Sequence, residues 1–173
     1  MGQSSSAATQ RRRGWVTWVL GGLTLLVLLV SVPGSLRDAF DRGGFYLFSR
    51  AFLEDLPKRL TGPGRFRFLL QPLVAIVLGI RSGVADARAG RTPYLMRLLT
   101  ERERRGELAR EGLAAVANLL LMGILLDSVF QWMILGISYP GPALVVGPVL
   151  IATPYAVARA LANRAASARG RSG

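Results

Sequence analysis

Long uncharged runs separated by charged connections dominate the pattern of this chain. The runs cover residues 14–36, 68–80, 113–137 and 143–158, and Asp127 is the one charged residue inside them. A helix needs about 20 apolar residues, at ~1.5 Å rise each, to cross a hydrocarbon core of roughly 30 Å. The pattern therefore predicts an all-α membrane protein with about four transmembrane helices.

The second run, residues 68–80, is short for a membrane span. Its 13 residues would reach only about 20 Å as a helix. We expect it to span with arginines at both ends reaching the interface, and a re-entrant segment broken at Pro72 is the alternative. Gly79-x3-Gly83 follows a small-x3-small pattern that permits another helix to approach closely.

A stretch between the first two runs alternates apolar and charged residues at helical spacing. Its apolar positions recur every three or four residues, and charged pairs such as Asp55–Arg59 lie on the other side. This pattern predicts an amphipathic helix that lies flat in the membrane interface or docks on a partner. A second, shorter interfacial helix is expected after Thr92-Pro93. The candidate face for helix packing or a partner consists of Phe45, Phe48, Phe52, Gly147 and Ala152.

Three polar residues within the apolar runs are candidate functional groups. Asp127 and Gln131 share one helical face, and Gln71 is expected at a similar depth in the membrane. A carboxylate at that depth costs on the order of 3 kcal/mol or more, so Asp127 should face protein. The group either forms an ion or proton path or makes hydrogen bonds between helices.

Composition narrows the range of activities. The chain of 173 residues is 51% hydrophobic, has a formal charge of +12, and contains neither Cys nor His. Thiol and imidazole chemistry are therefore excluded, and we expect no catalytic residues, metal site or cofactor. The arginines cluster beside the apolar runs, which favours contact with lipid headgroups over nucleic acid. The headgroup candidates are Arg81, Arg88 and Arg91.

Arginine placement also predicts the topology. If residues 11–13, 81–111 and the tail face the cytoplasm, both termini are cytoplasmic and the positive-inside rule is obeyed. The connection 33–67 carries seven basic residues and would be external, which disagrees with the positive-inside rule. We expect a disordered basic N-terminus over residues 1–13, one helical membrane domain over 14–163, and a disordered basic tail over 164–173.

Residues 66–160 resemble a group of small bacterial integral-membrane proteins. The resemblance rests on FRFLLQPLVAIVLGIRSGVADARAGRTPYLMRLLTERERRGELAREG, followed by LLDSVFQW and YPG. That group has no known activity, so the resemblance implies a bacterial inner-membrane setting and identifies no site.

Two functions fit these features. The first is a non-enzymatic scaffold or accessory subunit of a membrane complex, which packs against a membrane-protein partner or a second copy of itself. The alternative is a small transporter or channel subunit that uses the intramembrane Asp127.

Overall fold

Helices make up the regular structure of the protein. A computed structural model describes residues 3–62 and 64–169, with side chains from residue 14 onward. These ranges contain no strand, and their helices are α1 (Gln3–Arg42), α2 (Arg50–Thr61), α3 (Arg67–Arg88), α4 (Tyr94–Thr100), α5 (Arg105–Leu135) and α6 (Pro140–Arg169). Short 3₁₀ turns occur at Tyr46–Phe48 and Arg102–Arg104.

Within the described ranges, four helical segments are long and apolar enough to cross a membrane. They are Gly14–Arg42, Arg67–Arg88, Arg102–Leu135 and Pro140–Arg169. The all-α membrane architecture predicted from the sequence is thus confirmed. The short second run belongs to α3, a helix of 22 residues and about 33 Å in which Pro72 is an internal position. Its length suits a span, so no re-entrant segment is needed.

Both ends of the chain are more helical than the sequence suggested. Helix α1 begins at Gln3, within the stretch 1–13 for which the sequence predicts disorder, and that disorder stays a prediction. Helix α6 ends at Arg169, within the predicted tail 164–173, whose disorder also stays a prediction. Ala, Arg and Gln favour helix, and adding a residue to an existing helix avoids the cost of nucleation. Residues 1–2 and 170–173 lie outside the described part of the chain.

The chain divides into two compact units, and the single membrane domain expected over 14–163 stays a prediction. The first unit comprises the chain up to Arg65 together with Leu120–Gly147, and the second comprises Phe66–Leu119 and the chain from Pro148 onward. Helices α5 and α6 contribute to both. They contain 31 and 30 residues, or about 45 Å each, so their two halves have different neighbours.

In the first unit, α1 and α5 run side by side in the same direction. Gly21 and Thr24 lie beside Leu121, and the Thr24 hydroxyl donates to its carbonyl oxygen at 3.3 Å. Further along α1, Gly34 lies beside Ile137, which comes just after the end of α5. Gly136, with a φ of 73°, follows α5 directly and provides the left-handed residue that commonly ends a helix.

In the second unit, α3 and α6 pack closely and also run in the same direction. Gly79 lies against the backbone of Tyr155, and one turn later Gly83 lies against the backbone of Arg159. A Cβ atom at either glycine would overlap these backbone atoms. The small-x3-small pattern therefore provides the close helix approach that the sequence predicted.

Candidate functional site

The first unit contains a buried polar cluster centred on Asp127. Asp127 is 0% exposed, and Gln131 Nε2 donates to its Oδ2 at 2.6 Å, as expected for two residues on one helical face. Gln131 Oε1 also accepts from the backbone N–H of Tyr139 at 2.9 Å. The amide of Gln131 thus joins the carboxylate to the turn between α5 and α6.

Arg59 of α2 supplies the positive charge beside Asp127. Its Nη1 lies 3.5 Å from Asp127 Oδ2, and the whole residue is 2% exposed. The guanidinium also lies 5.9 Å from the ring centroid of Tyr46 and 5.6 Å from that of Phe52, within range of cation–π attraction. The sequence placed Arg59 on the charged outer side of α2 with Asp55. That assignment is wrong, because the long side chain of Arg59 turns inward to the buried carboxylate of Asp127.

Two stacked tyrosines border this cluster outside the candidate spans. The rings of Tyr46 and Tyr139 lie 3.8 Å apart at an interplanar angle of 10°. Tyr46 donates to Asp55 Oδ2 at 2.6 Å, and burial together with this hydrogen bond raises the pKa of Tyr46 to about 12. Burial, with a hydrogen bond to Asp38, raises the pKa of Tyr139 to about 12 as well. Both phenols therefore stay neutral at ordinary pH.

Asp55 has the opposite shift. Burial acts to raise the pKa of its carboxyl, but hydrogen bonds from Lys58 and Tyr46 outweigh burial and hold it below the usual value. Lys58 Nζ lies 2.7 Å from Asp55 Oδ1. Asp55 is therefore a stable anion that orients the Tyr46 hydroxyl.

Gln71, the third intramembrane candidate, belongs to the second unit. Its side chain is buried, and its Nε2 has no hydrogen-bond partner among the residues the structure describes. Asp127 belongs to the first unit. A polar layer joining Gln71 to Asp127 therefore stays a prediction.

The second unit has its own buried ion-pair cluster, centred on Arg159. Arg159 Nε and Nη2 lie 2.6 and 3.1 Å from the two carboxylate oxygens of Asp86, which is a bidentate arrangement. Nη2 also donates to Glu111 Oε1 at 2.7 Å, and the guanidinium lies 4.3 Å from the ring centroid of Tyr94. Sequence reasoning missed this cluster, because Asp86 lies in a charged connection and Arg159 follows an apolar run like the tail arginines.

Two of the three headgroup candidates line one cleft. Arg88 and Arg91 lie at its edge with Arg164 and Arg169, and the cleft has a volume of about 820 Å³. Arg81 is exposed on α3 and is not among the residues that line it. The structure thus gathers arginines from the ends of two helices that the sequence left unrelated.

The candidate aromatic face divides into an exposed and an enclosed part. Phe45 and Phe48 are 68% and 87% exposed. Phe52 is half-buried and makes an edge-to-face contact with Tyr46 at 5.8 Å between centroids. The surface open to a partner or to lipid is therefore Phe45 and Phe48, while Phe52 holds the inner side of α2.

The two small-residue candidates, Gly147 and Ala152, also differ in how far they are buried. Gly147 packs against the backbone of Gly123 and Ile124, where a Cβ atom would lie 3.2 Å from the nearest atoms. Its close approach is therefore made within the chain. Ala152 is half-buried in the second unit.

The two clusters hold their charges in fixed pairs, which suits structural roles. Across residues 3–62 and 64–169, no group of three or more acidic side chains is arranged to hold a metal ion.

No protein-family model matches the chain, and comparisons with curated proteins and with solved structures gave no match.

Proposed function

We propose that the protein is a non-enzymatic scaffold or accessory subunit of a membrane complex. The observation that carries this proposal is the pairing of Asp127 with Arg59, both buried, at 3.5 Å. An acid that carries ions or protons across a membrane must exchange its partner or its proton. Asp127 is instead held by a cation from α2 and by the Gln131 amide, which favours a structural role.

The proposed docking surface is the exposed pair Phe45 and Phe48. Both residues lie outside the candidate spans, and the ion pair of Arg59 with Asp127 anchors the adjacent helix α2 within the first unit. Large apolar side chains on a firmly held support suit a partner of complementary shape, because little ordering is needed on binding. The partner is a membrane protein or a second copy of this chain.

We further propose a bacterial inner-membrane location with both termini in the cytoplasm. Two structural features support this topology. Helices α1 and α5 are parallel to each other, and so are α3 and α6. The first and third spans of a chain cross a membrane in the same direction, as do the second and fourth. The last turns of α3 and α6 also carry arginine, in keeping with the positive-inside rule.

Single cysteines test the topology, since the chain has none of its own. Thr100→Cys should be protected from an impermeant thiol reagent in intact cells, while Glu54→Cys should react. Both positions are exposed, so a difference reports on the side of the membrane. Labelling of Thr100→Cys but not Glu54→Cys would refute the proposed orientation.

Co-purification tests the scaffold role. Phe48→Asp should release a partner that co-purifies in mild detergent, or dissociate an oligomer of the chain. Leu99→Asp is the matched control, because Leu99 is also exposed outside the spans and belongs to the second unit. Charge-dependent flux in proteoliposomes of the purified protein, abolished by Asp127→Asn, would instead establish the transporter alternative.

A further inference from the structure

Four arginines line a cleft in the second unit, at the C-terminal ends of α3 and α6. Arg88 and Arg91 come from the end of α3 and the loop after it, and Arg164 and Arg169 come from α6. Among the residues that the structure describes, no Asp or Glu lines the cleft, whose volume is about 820 Å³. Thr92, Asn163 and Ser167 add polar groups to its wall. The cleft is therefore strongly positive and large enough for a phosphate group.

The loop that carries Arg91 is held in a defined position. Gly90 has a φ of 67°, and Arg91 donates its backbone N–H to Asp86 O at 2.9 Å. Asn163 on α6, itself 1% exposed, donates from Nδ2 to Arg91 O at 3.0 Å. These bonds tie the loop to both helices, so the arginines are brought together by the fold.

The charges around the cleft do not cancel internally. Asp86, the acid nearest Arg91, already binds Arg159 with both carboxylate oxygens, at 2.6 and 3.1 Å. Its distance to Arg91 Nη1 is longer, at 3.4 Å. Arg88 and Arg164 are exposed and have no ion-pair partner in the described part of the chain. One acid shared by two arginines, with two further arginines beside it, leaves a net positive site.

Helix dipoles act against an anion here but are weaker. A helix C-terminus carries roughly half a negative charge, and its effect fades within the last turn. Two such ends offset about one of the arginine charges. Arginine also forms paired hydrogen bonds to phosphate oxygens, which a dipole does not weaken much.

The depth of the cleft matches the headgroup layer. Arg88 follows the apolar run of α3 by eight residues, or about 12 Å, and Arg164 follows that of α6 by six, or about 9 Å. Long arginine side chains extend back toward the membrane surface from such positions. Phosphates of the adjacent leaflet are then within reach.

From these observations we propose that this cleft binds a phosphate group with net negative charge, supplied by an anionic phospholipid headgroup or by a soluble phosphate. Asn163 is a positioning residue, because it acts through the loop that carries Arg91. Arg88 and Arg164 make the contacts on which affinity depends. This site is independent of the aromatic surface at Phe45 and Phe48.

The test measures binding of a fluorescent phosphatidylglycerol to the purified full-length protein in neutral detergent. Arg88→Gln/Arg164→Gln should raise the apparent Kd roughly thirtyfold, at about fivefold for each arginine near a lipid phosphate. Asn163→Ala should weaken binding by less. The matched control is Arg102→Gln/Arg110→Gln, which removes the same charge from exposed positions outside the cleft and should change the Kd less than threefold.

Competitors identify the source of the phosphate. Displacement by unlabelled phosphatidylglycerol but not by inorganic phosphate assigns a lipid headgroup, and displacement by inorganic phosphate assigns a soluble ligand; both support the site. Equal weakening by the cleft and control pairs, no weakening by the cleft pair, or equal displacement by phosphatidylcholine would overturn it. If the double variant does not fold, Arg88→Gln and Arg164→Gln are measured separately.

Discussion

Arg59 Nη1 lies 3.5 Å from Asp127 Oδ2, and this buried pair joins α2 to α5 within the first unit. Replacing such a pair by apolar residues is often neutral, whereas removing one partner leaves a charge buried without compensation. The pair therefore contributes little net stability but determines where α2 packs. Any displacement of α2 would separate two charges that have little access to water.

Asp127→Leu alone should be far more damaging than the double substitution of this pair. We expect Asp127→Leu, which leaves the Arg59 guanidinium buried without its anion, to lower the free energy of unfolding by about 3–5 kcal/mol. Arg59→Met should lower it by less, and Arg59→Met/Asp127→Leu should recover most of the Asp127→Leu loss. Denaturation in mild detergent measures all three. The exposed pair Arg104–Glu107 is the control, and its disruption should change little. A double variant as unstable as Asp127→Leu would contradict this account.

Local sequence signals correctly predicted the long helices and the shared face of Asp127 and Gln131. Both follow from features within a few turns of one helix: the length of an uncharged run, and a spacing of four residues. Predicting that Asp127 and Gln131 share a face therefore required no information about the other helices. This is why the architecture and the centre of the first cluster could be predicted.

The partners from other helices could not be predicted in this way. The spacing of charges in α2 is compatible with an exposed i,i+4 pair between Asp55 and Arg59 and equally with a buried Arg59. Only the packing of α2 against the rest of the first unit turns Arg59 inward. If no cation were buried beside Asp127, Asp127→Asn would be expected to be harmless, since the amide keeps the shape of the carboxylate. With Arg59 buried beside it, the same change leaves a lone positive charge and should destabilise.

Gly83 should not tolerate even a methyl group. A Cβ atom there would overlap the Arg159 carbonyl oxygen, so we expect Gly83→Ala to destabilise by about 1–3 kcal/mol. Gly22 in α1 is the matched control, because it has open space around the Cβ position. Gly22→Ala should be neutral or stabilise by up to about 1 kcal/mol, since alanine favours helix. Equal effects of the two substitutions, measured by thermal unfolding, would argue against the close contact of α3 and α6.

The buried tyrosines should make the fold sensitive to alkali. The folded pKa of Tyr46 is raised to about 12 from an unfolded value of 10.0, so the unfolded chain loses its proton first. Stability is then fully present below pH 10 and falls as the pH rises from 10 to about 12. Tyr139 acts in the same direction over the same range.

Tyrosinate absorbance and unfolding measured across that range check this prediction. Tyr46→Phe should remove one high-pH ionisation from the absorbance titration and make the fall in stability shallower between pH 10 and 12. A tyrosine signal in the parent that is complete near pH 10 would show that neither phenol is held in its neutral form.

The cluster around Arg159 should distinguish arginine from lysine. Arg159 binds both oxygens of Asp86 and one of Glu111 while stacking on Tyr94, and a lysine ammonium cannot reproduce this planar set of contacts. We expect Arg159→Met to cost about 3–5 kcal/mol, because the buried Asp86 then loses its bidentate partner and keeps only the longer contact with Arg91, at 3.4 Å. Arg159→Lys should cost less, about 1.5–3 kcal/mol, the range for lost hydrogen bonds to charged groups. Glu111→Gln should cost least, since 46% of the Glu111 side chain is exposed.

Unfolding in detergent measures this ranking of the Arg159 and Glu111 variants, with the exposed Arg110→Lys as the control that should match the parent. If Arg159→Lys were as stable as the parent, the cluster would depend on charge alone, and the bidentate geometry would have no role in holding α3 against α6.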